Sequence, residues 1–196
     1  MALYKIDGCQ WNCYPDTTVL INKLDIRDQK KLNDIEKQIT LLRAIQAEQE
    51  TKFENVDFSF YRSLHKKLFE DLYYWAGRLR DINISKKGTA FCDHSELEMI
   101  GNAKFGQLKR KNYLCGLSSE RFINEVAELY HELNMLHPFR EGNGRTLRLF
   151  ITLLVRNAGR DIDFSACDID LLTIATIKAA QGEMTMLGEV FREIIT

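Results

Sequence analysis

One stretch constrains this chain more than any other. From Ser119 onward, Phe122, Val126, Leu129, Leu133 and Leu136 follow at steps of four, three, four and three, the period of a helix with one buried face. Pro138 ends it. Proline lacks an N–H and disfavours helical geometry in the residue before it, so the helix must stop near His137. So regular an apolar face needs partners, and the rest of the sequence offers them mostly in helical form. Leu32, Ile35, Ile39 and Leu42 recur at helical spacing after a start near Asp25. Tyr61, Leu64, Leu68 and Leu72 share one face of a helix over about 57–75 that stops at Gly77. Ser95-Glu96-Leu97-Glu98 reads as a capping box opening another helix. A further helix follows Gly144, with Leu147, Ile151 and Leu154 inward, and ends near Gly159. Helices over roughly 169–180 and 185–195 close the chain.

Only Pro15 and Pro138 interrupt 196 residues, which leaves room for long helices. The sequence therefore implies an all-α domain spanning 1–196, with an arm over 1–24 in which Tyr14-Pro15-Asp16-Thr17 forms a turn. The one departure from helical period is 79–92. There Leu79-Arg80-Asp81-Ile82-Asn83-Ile84 alternates, Lys86-Lys87-Gly88 turns, and Thr89-Ala90-Phe91-Cys92 returns, the pattern of a short β-hairpin.

Composition narrows the function. Lys and Arg number 27 against 28 Asp and Glu, a net charge of -1, which argues against a general nucleic-acid binder. No apolar run approaches the ~20 residues of a membrane span, and MALYKIDGCQWNC lacks the apolar core of a secretory signal. Hydrophobic residues at 45% and charged residues at 28% suit a globular fold. The five cysteines, Cys9, Cys13, Cys92, Cys115 and Cys167, form no paired zinc-ligand spacing. Reduced thiols and a cytoplasmic location are the expectation.

Chemistry concentrates in Leu136-His137-Pro138-Phe139-Arg140-Glu141-Gly142-Asn143-Gly144-Arg145-Thr146-Leu147-Arg148. Gly142-Asn143-Gly144 permits a tight turn directly before a helix, whose first N–H groups then form an anion site. Arg145 and Arg148 lie on one face of its first turn. Cations there oppose the helix dipole by roughly 0.3–1 kcal/mol each, so an anion is expected between them. Glu141 can hold Mg²⁺, which takes one or two carboxylates plus phosphate oxygens. His137, with an ordinary pKa of ~6.5, suits a general base. Together these describe a phosphate-transfer site. The usual nucleotide motifs GxxxxGK[ST] and GxGxxG are absent, and His131-Glu132 does not continue as a zincin motif.

Residues 137–148 resemble in full the HxFx[D/E]GNGRxxR signature of the Fic (filamentation induced by cAMP) family, including an apolar Phe139. Trp75-Ala76-Gly77-Arg78-Leu79-Arg80, then Ile84-Ser85-Lys86-Lys87-Gly88, resemble that family's helix end and flap. Tyr14-Pro15 and Asn22-Lys23-Leu24 resemble the N-terminal part of bacterial cell-filamentation proteins. The resemblance implies a Fic-type helical bundle with one hairpin, and transfer of AMP from Mg-ATP to a Tyr, Thr or Ser hydroxyl of a target protein. It implies His137 as base, Glu141 as Mg²⁺ carboxylate, and Gly142, Asn143, Gly144 and Thr146 around the phosphates. Arg145 and Arg148 would face the β- and γ-phosphates, with Lys86 and Asn134 also at the nucleotide. A flap of Ile84, Ser85, Lys87, Gly88, Thr89 and Phe91 would hold the target by strand addition to an exposed edge. Other nucleotidyl or phosphoryl transfer at the same site is the alternative chemistry.

Small Fic proteins of this layout resemble toxin components of toxin–antitoxin pairs, some directed at DNA topoisomerases. A topoisomerase subunit is thus one implied target, and a small antitoxin one implied partner. Such enzymes are restrained by a helix with [S/T]xxxE[G/N]. Here Thr185-Met186-Leu187-Gly188-Glu189 fits its first five positions, but Val190 stands where Gly or Asn belongs. The inhibitory Glu is therefore expected in trans, with restraint in cis by Glu189 as the alternative.

Overall fold

The computed structural model of the chain describes residues 4–6, 12–86 and 88–196. Its elements run β1 (Tyr4–Ile6), α1 (Gln29–Glu50), α2 (Phe58–Phe69), β2 (Ile84–Lys86), β3 (Thr89–Ala90), α3 (Leu97–Arg110), α4 (Ser119–Leu136), α5 (Asn143–Asn157), α6 (Ile169–Ala180) and α7 (Thr185–Ile194). The expected all-α architecture with one small sheet is what forms. At its centre, α5 packs against α1, α2 and α4, while α6 and α7 close over α4. Only one face of α5 looked buried from its spacing. In fact Leu147, Leu149, Phe150, Ile151, Leu153, Leu154 and Val155 are all buried, as befits a helix apolar most of the way round. Phe58, Tyr61, Phe105, Phe139 and Phe150 pack as an aromatic group between α2, α3 and α5.

Three boundaries differ from the sequence reading. First, α2 ends at Phe69 rather than near Trp75. The Lys23 backbone N–H donates to the Leu72 carbonyl and the Lys23 ammonium to that of Glu70, so the N-terminal arm takes up acceptors that a continuing helix would use. Second, Ser95 does not cap α3. Asp93 accepts from the Ser95 N–H and hydroxyl and caps a single 3₁₀ turn, His94–Glu96; α3 follows from Leu97 with no side-chain cap. Third, α1 begins at Gln29, capped by Asp28.

The hairpin forms with Ser85 opposite Ala90 and Lys86 opposite Thr89. Residues 79–83 do not join its ladder, because the Arg80 guanidinium holds the Ile82 carbonyl and the Asn83 side chain bonds Asp93 and the His94 N–H. A third strand was not foreseen. β1 pairs antiparallel with β2, placing Tyr4 opposite Lys86 and Ile6 opposite Ile84. One flank of the flap is therefore occupied by the chain's own N-terminal arm. Among the described residues, no helix is long and apolar enough to cross a membrane.

Candidate active site

At the end of α4, His137 adopts left-handed geometry, φ 44° and ψ 57°. That conformation costs a non-glycine residue ~1–2 kcal/mol and persists only where surrounding contacts enforce it. Here they do. The His137 N–H donates to Leu133 O at 3.2 Å, and Arg80 Nε donates to the His137 carbonyl at 2.8 Å. The imidazole Nδ1 lies 3.0 Å from the Asn134 carbonyl, and the Phe91 ring stacks on it at 3.8 Å. A carbonyl only accepts, so Nδ1 carries the proton and Nε2 the lone pair. Burial pushes the His137 pKa down to about 3, with Lys86 and Arg80 lowering it further against the Asn134 carbonyl. The ring is neutral at any physiological pH, so Nε2 carries no proton.

The loop beyond it is held from within. Asn143 accepts from the Phe139 N–H at 2.9 Å and donates to the Phe139 carbonyl at 2.7 Å. The Thr146 hydroxyl donates to Gly142 O at 3.1 Å. Gly142 caps α5 at φ 80°, and a Cβ there would lie 2.2 Å from the Phe69 ring, so both torsion and space require glycine. His65 supports the loop from α2. Its Nδ1 accepts from the Gly77 N–H at 2.8 Å, which leaves Nε2–H to donate to the Glu141 carbonyl at 3.0 Å. The ring lies in an aromatic stack with Phe139 and Phe69, and burial pushes its pKa down to about 3.

The two arginines part company. Arg145 donates to Glu36 of α1 at 2.6 Å and to Thr40 at 3.3 Å, lies 3.6 Å from Glu141, and covers the Phe69 ring. Glu36 in turn accepts a hydrogen bond from the Tyr73 hydroxyl. The anion that two first-turn arginines seemed to demand is, for Arg145, already in the protein. Arg148 instead shares the cavity with Tyr130: burial raises the Tyr130 pKa, and the Arg148 guanidinium opposes that rise.

A cavity of about 240 Å³ gathers Lys86, Asn134, His137, Glu141, Gly142, Gly144, Arg145 and Arg148, with Thr89 and Phe91 of the flap at its rim. Its far wall is α6, through Leu172, Thr173, Thr176, Ile177 and Ala180. Of the residues expected at the site, Asn143 and Thr146 lie buried beneath it, their side chains holding the loop rather than facing the cavity. Ile84 is buried under the flap, Ser85 half-buried and Gly88 exposed; Lys87 lies outside the described residues. Glu189 is exposed on α7 and does not line the cavity.

Sequence reading passed over His65, Glu36, Arg80 and the α6 wall. A histidine on the apolar face of α2 was a signal for the first. Glu36 had none, since an acidic residue on a solvated helix is ordinary.

Comparison with known proteins agrees with the geometry. The profile of the Fic/DOC family matches residues 55–155. The chain is 35% identical over 182 residues to protein adenylyltransferase VbhT of Bartonella schoenbuchensis, covering 93% of this chain and 38% of that protein's length. It is 32% identical to the probable protein adenylyltransferase Fic of Escherichia coli K12, covering 93% and 90%. Among solved structures, BepC from Bartonella tribocorum with bound AMPPNP superposes with a TM-score of 0.89 at 30% identity, covering 95% of this chain and 97% of that one. An ADP-bound Fic domain of a Bartonella quintana effector gives 0.89 at 30%, covering 94% of each.

Proposed function

The chain belongs to the Fic/DOC family, and from that membership we propose that it is a protein adenylyltransferase, moving AMP from ATP to a hydroxyl of a target protein. The observation that carries this reading is the convergence in one cavity of a neutral His137, the Glu141 carboxylate, the N-terminus of α5 and Arg148. The hydroxyl proton passes to Nε2 of His137 while the oxygen bonds to the α-phosphorus. The bond from that phosphorus to the bridging oxygen breaks, and pyrophosphate leaves. The N–H groups of the first turn of α5, with Arg148, face the charge that develops on it, the electrostatic term that usually dominates such transfers. The wall of α6 accepts the base and ribose.

Glu141 is the residue that would hold Mg²⁺. It is a half-buried carboxylate at the cavity, oriented by the Gly142 N–H at 2.9 Å. Among the described residues no group of three or more His, Cys, Asp or Glu gathers as a metal site. One carboxylate completed by phosphate oxygens is the usual way this ion binds. When bound, the ion neutralises triphosphate charge.

The target segment docks on the flap by main-chain pairing. Since β1 occupies the β2 flank, the edge it uses is that of β3, Thr89–Ala90. Regulation belongs to the same reading, with this chain as the toxin of a pair. A second cavity of about 480 Å³ lies between α1 and α5, lined by Leu41, Ala44, Leu149 and Phe164, with Arg145 and Arg148 on its wall. Leu41 is 60% exposed. An amphipathic helix of a small antitoxin fits it, bringing a glutamate to Arg148.

Parallel incubations with ATP labelled at the α- or the γ-phosphate test the transfer. Label and an AMP mass increment from α-labelled ATP alone are expected. Label from the γ-position would replace adenylylation with phosphorylation.

A further inference from the structure

Arg80 is a buried guanidinium that, among the described residues, pairs with no carboxylate. It is 4% exposed, and its side chain meets only main-chain oxygens. Nε donates to the His137 carbonyl at 2.8 Å, Nη1 to the Ile82 carbonyl at 2.6 Å, and Nη2 to the Cys92 carbonyl. Its own backbone N–H adds a bond to the Pro138 carbonyl at 2.9 Å. Ile82 and Cys92 are the two feet of the flap hairpin, lying just before β2 and just after β3. Three carbonyls from three segments thus converge on one planar fork, a geometry an arginine satisfies and a lysine does not. The Cys92 N–H then donates to Met135 O at 3.0 Å, tying the same foot to the last turn of α4.

His137 is where that fastening matters most. Its left-handed backbone is the least favourable torsion in the cavity, and Arg80 grips its carbonyl. Were the carbonyl released, the residue would relax towards ordinary torsions, and the ring would leave the Asn134 carbonyl that fixes its tautomer. On the adenylyl-transfer reading above, we propose that Arg80 is a positioning residue for that reaction, holding His137 and both feet of the target-holding hairpin at one point. Base and flap are thereby kept in register, while the nucleotide rests on α5 and α6, which Arg80 does not touch.

The test is Arg80→Lys, which keeps the charge and loses the fork. Three quantities are measured: the single-turnover rate of AMP transfer onto the chain itself, ATP affinity by calorimetry, and the imidazole ¹⁵N spectrum of His137. Expected are a rate loss of about 100-fold, the scale of an ångström's misplacement, ATP affinity within about twofold, and a His137 spectrum that changes from one tautomer to an average of two. A folded variant with unchanged rate overturns the proposal, and so does a slowed variant whose His137 tautomer is unchanged. If the wild-type chain transfers no AMP at all, the adenylylation reading fails, and it does so whatever the spectrum of the Lys variant shows. Should Arg80→Lys not fold, it is repeated in a His137→Gly background, where a left-handed residue needs no fastening. Recovery of the fold there supports the proposal; continued failure counts against it.

Discussion

Two segments face each other across the cavity, and they are built on opposite plans. The loop from His137 to Gly142 contains two left-handed residues, yet side chains from the surrounding core fix it throughout: Arg80 on His137, Asn143 on Phe139, His65 on Glu141 and Thr146 on Gly142. The flap opposite has regular extended geometry and is fastened at its feet and along β2, but its outer half has little to hold it. β3 joins β2 through two opposed residue pairs, and Gly88 and Ala90 at the tip and return are exposed. Strain goes with firm support, and ease with looseness. On the adenylyl-transfer reading, the groups proposed to meet a phosphate are set before the nucleotide arrives, whereas the element proposed to accept a foreign strand is left adaptable.

The sharpest way to break this contrast is at the base. His137→Ala should cost on the order of 10²–10⁴ in transfer rate and leave ATP binding nearly intact, as calorimetry would show; wild-type turnover would remove His137 from the chemistry. Next come the arginines, which the structure separates. Arg145→Ala leaves Glu36, whose side chain is 12% exposed, with its charge unpaired and only the Tyr73 hydroxyl bonded to it, and should cost about 3 kcal/mol in urea unfolding. Arg148→Ala should barely alter stability and should instead raise the ATP needed for half-maximal rate. Equal melting curves for the two variants would erase the distinction.

Acid should loosen the fixed side of the comparison. His65 and His137 both have folded pKa values pushed down to about 3, so the unfolded chain binds the extra protons. Their contribution is whole above ~6.5 and is lost as pH falls towards 3, about 2 kcal/mol per histidine at pH 5. Unfolding titrations at pH 7 and pH 5 measure it, and His65→Gln should remove about half of the difference. A stability that stays flat over that range would mean these rings are not buried and neutral. The smallest effect belongs to the flap. Gly88 has φ 84° with open space around its Cβ position, so Gly88→Ala should strain the hairpin by about 1 kcal/mol. That should raise the KM for a protein target roughly twofold and leave the global melting temperature unmoved. A large drop in melting temperature would show the flap to be part of the cooperative core.

Local features were legible in the sequence. The end of α4 at Pro138, α6 and α7, and the glycine turn into α5 rest on propensities a few residues wide, and they form where expected. The composition of the cavity was legible too, because one short segment supplies most of it. What escaped depends on partners far along the chain. Arg80 meets His137 across 57 positions, His65 meets Glu141 across 76, and Arg145 meets Glu36 across 109. The dipole argument for Arg145 was sound in requiring an anion, but nothing in a first-turn spacing says whether that anion arrives with a ligand or comes from α1. Likewise the alternation over 79–84 suggested a longer strand, and only the folded chain reveals that one of its residues draws the ladder's carbonyl away.

The stack around His65 also makes the protein its own optical gauge. Trp75 lies 5.9 Å from that imidazole and 4.4 Å from the Tyr73 ring, and the chain has only two tryptophans. With Trp11→Phe, all indole emission comes from a ring in contact with the histidine that carries the Glu141 carbonyl. An imidazolium beside an indole quenches it, so a dimming on acidification would mark the moment the loop lets go of His65, visible in a cuvette without substrate, label or target.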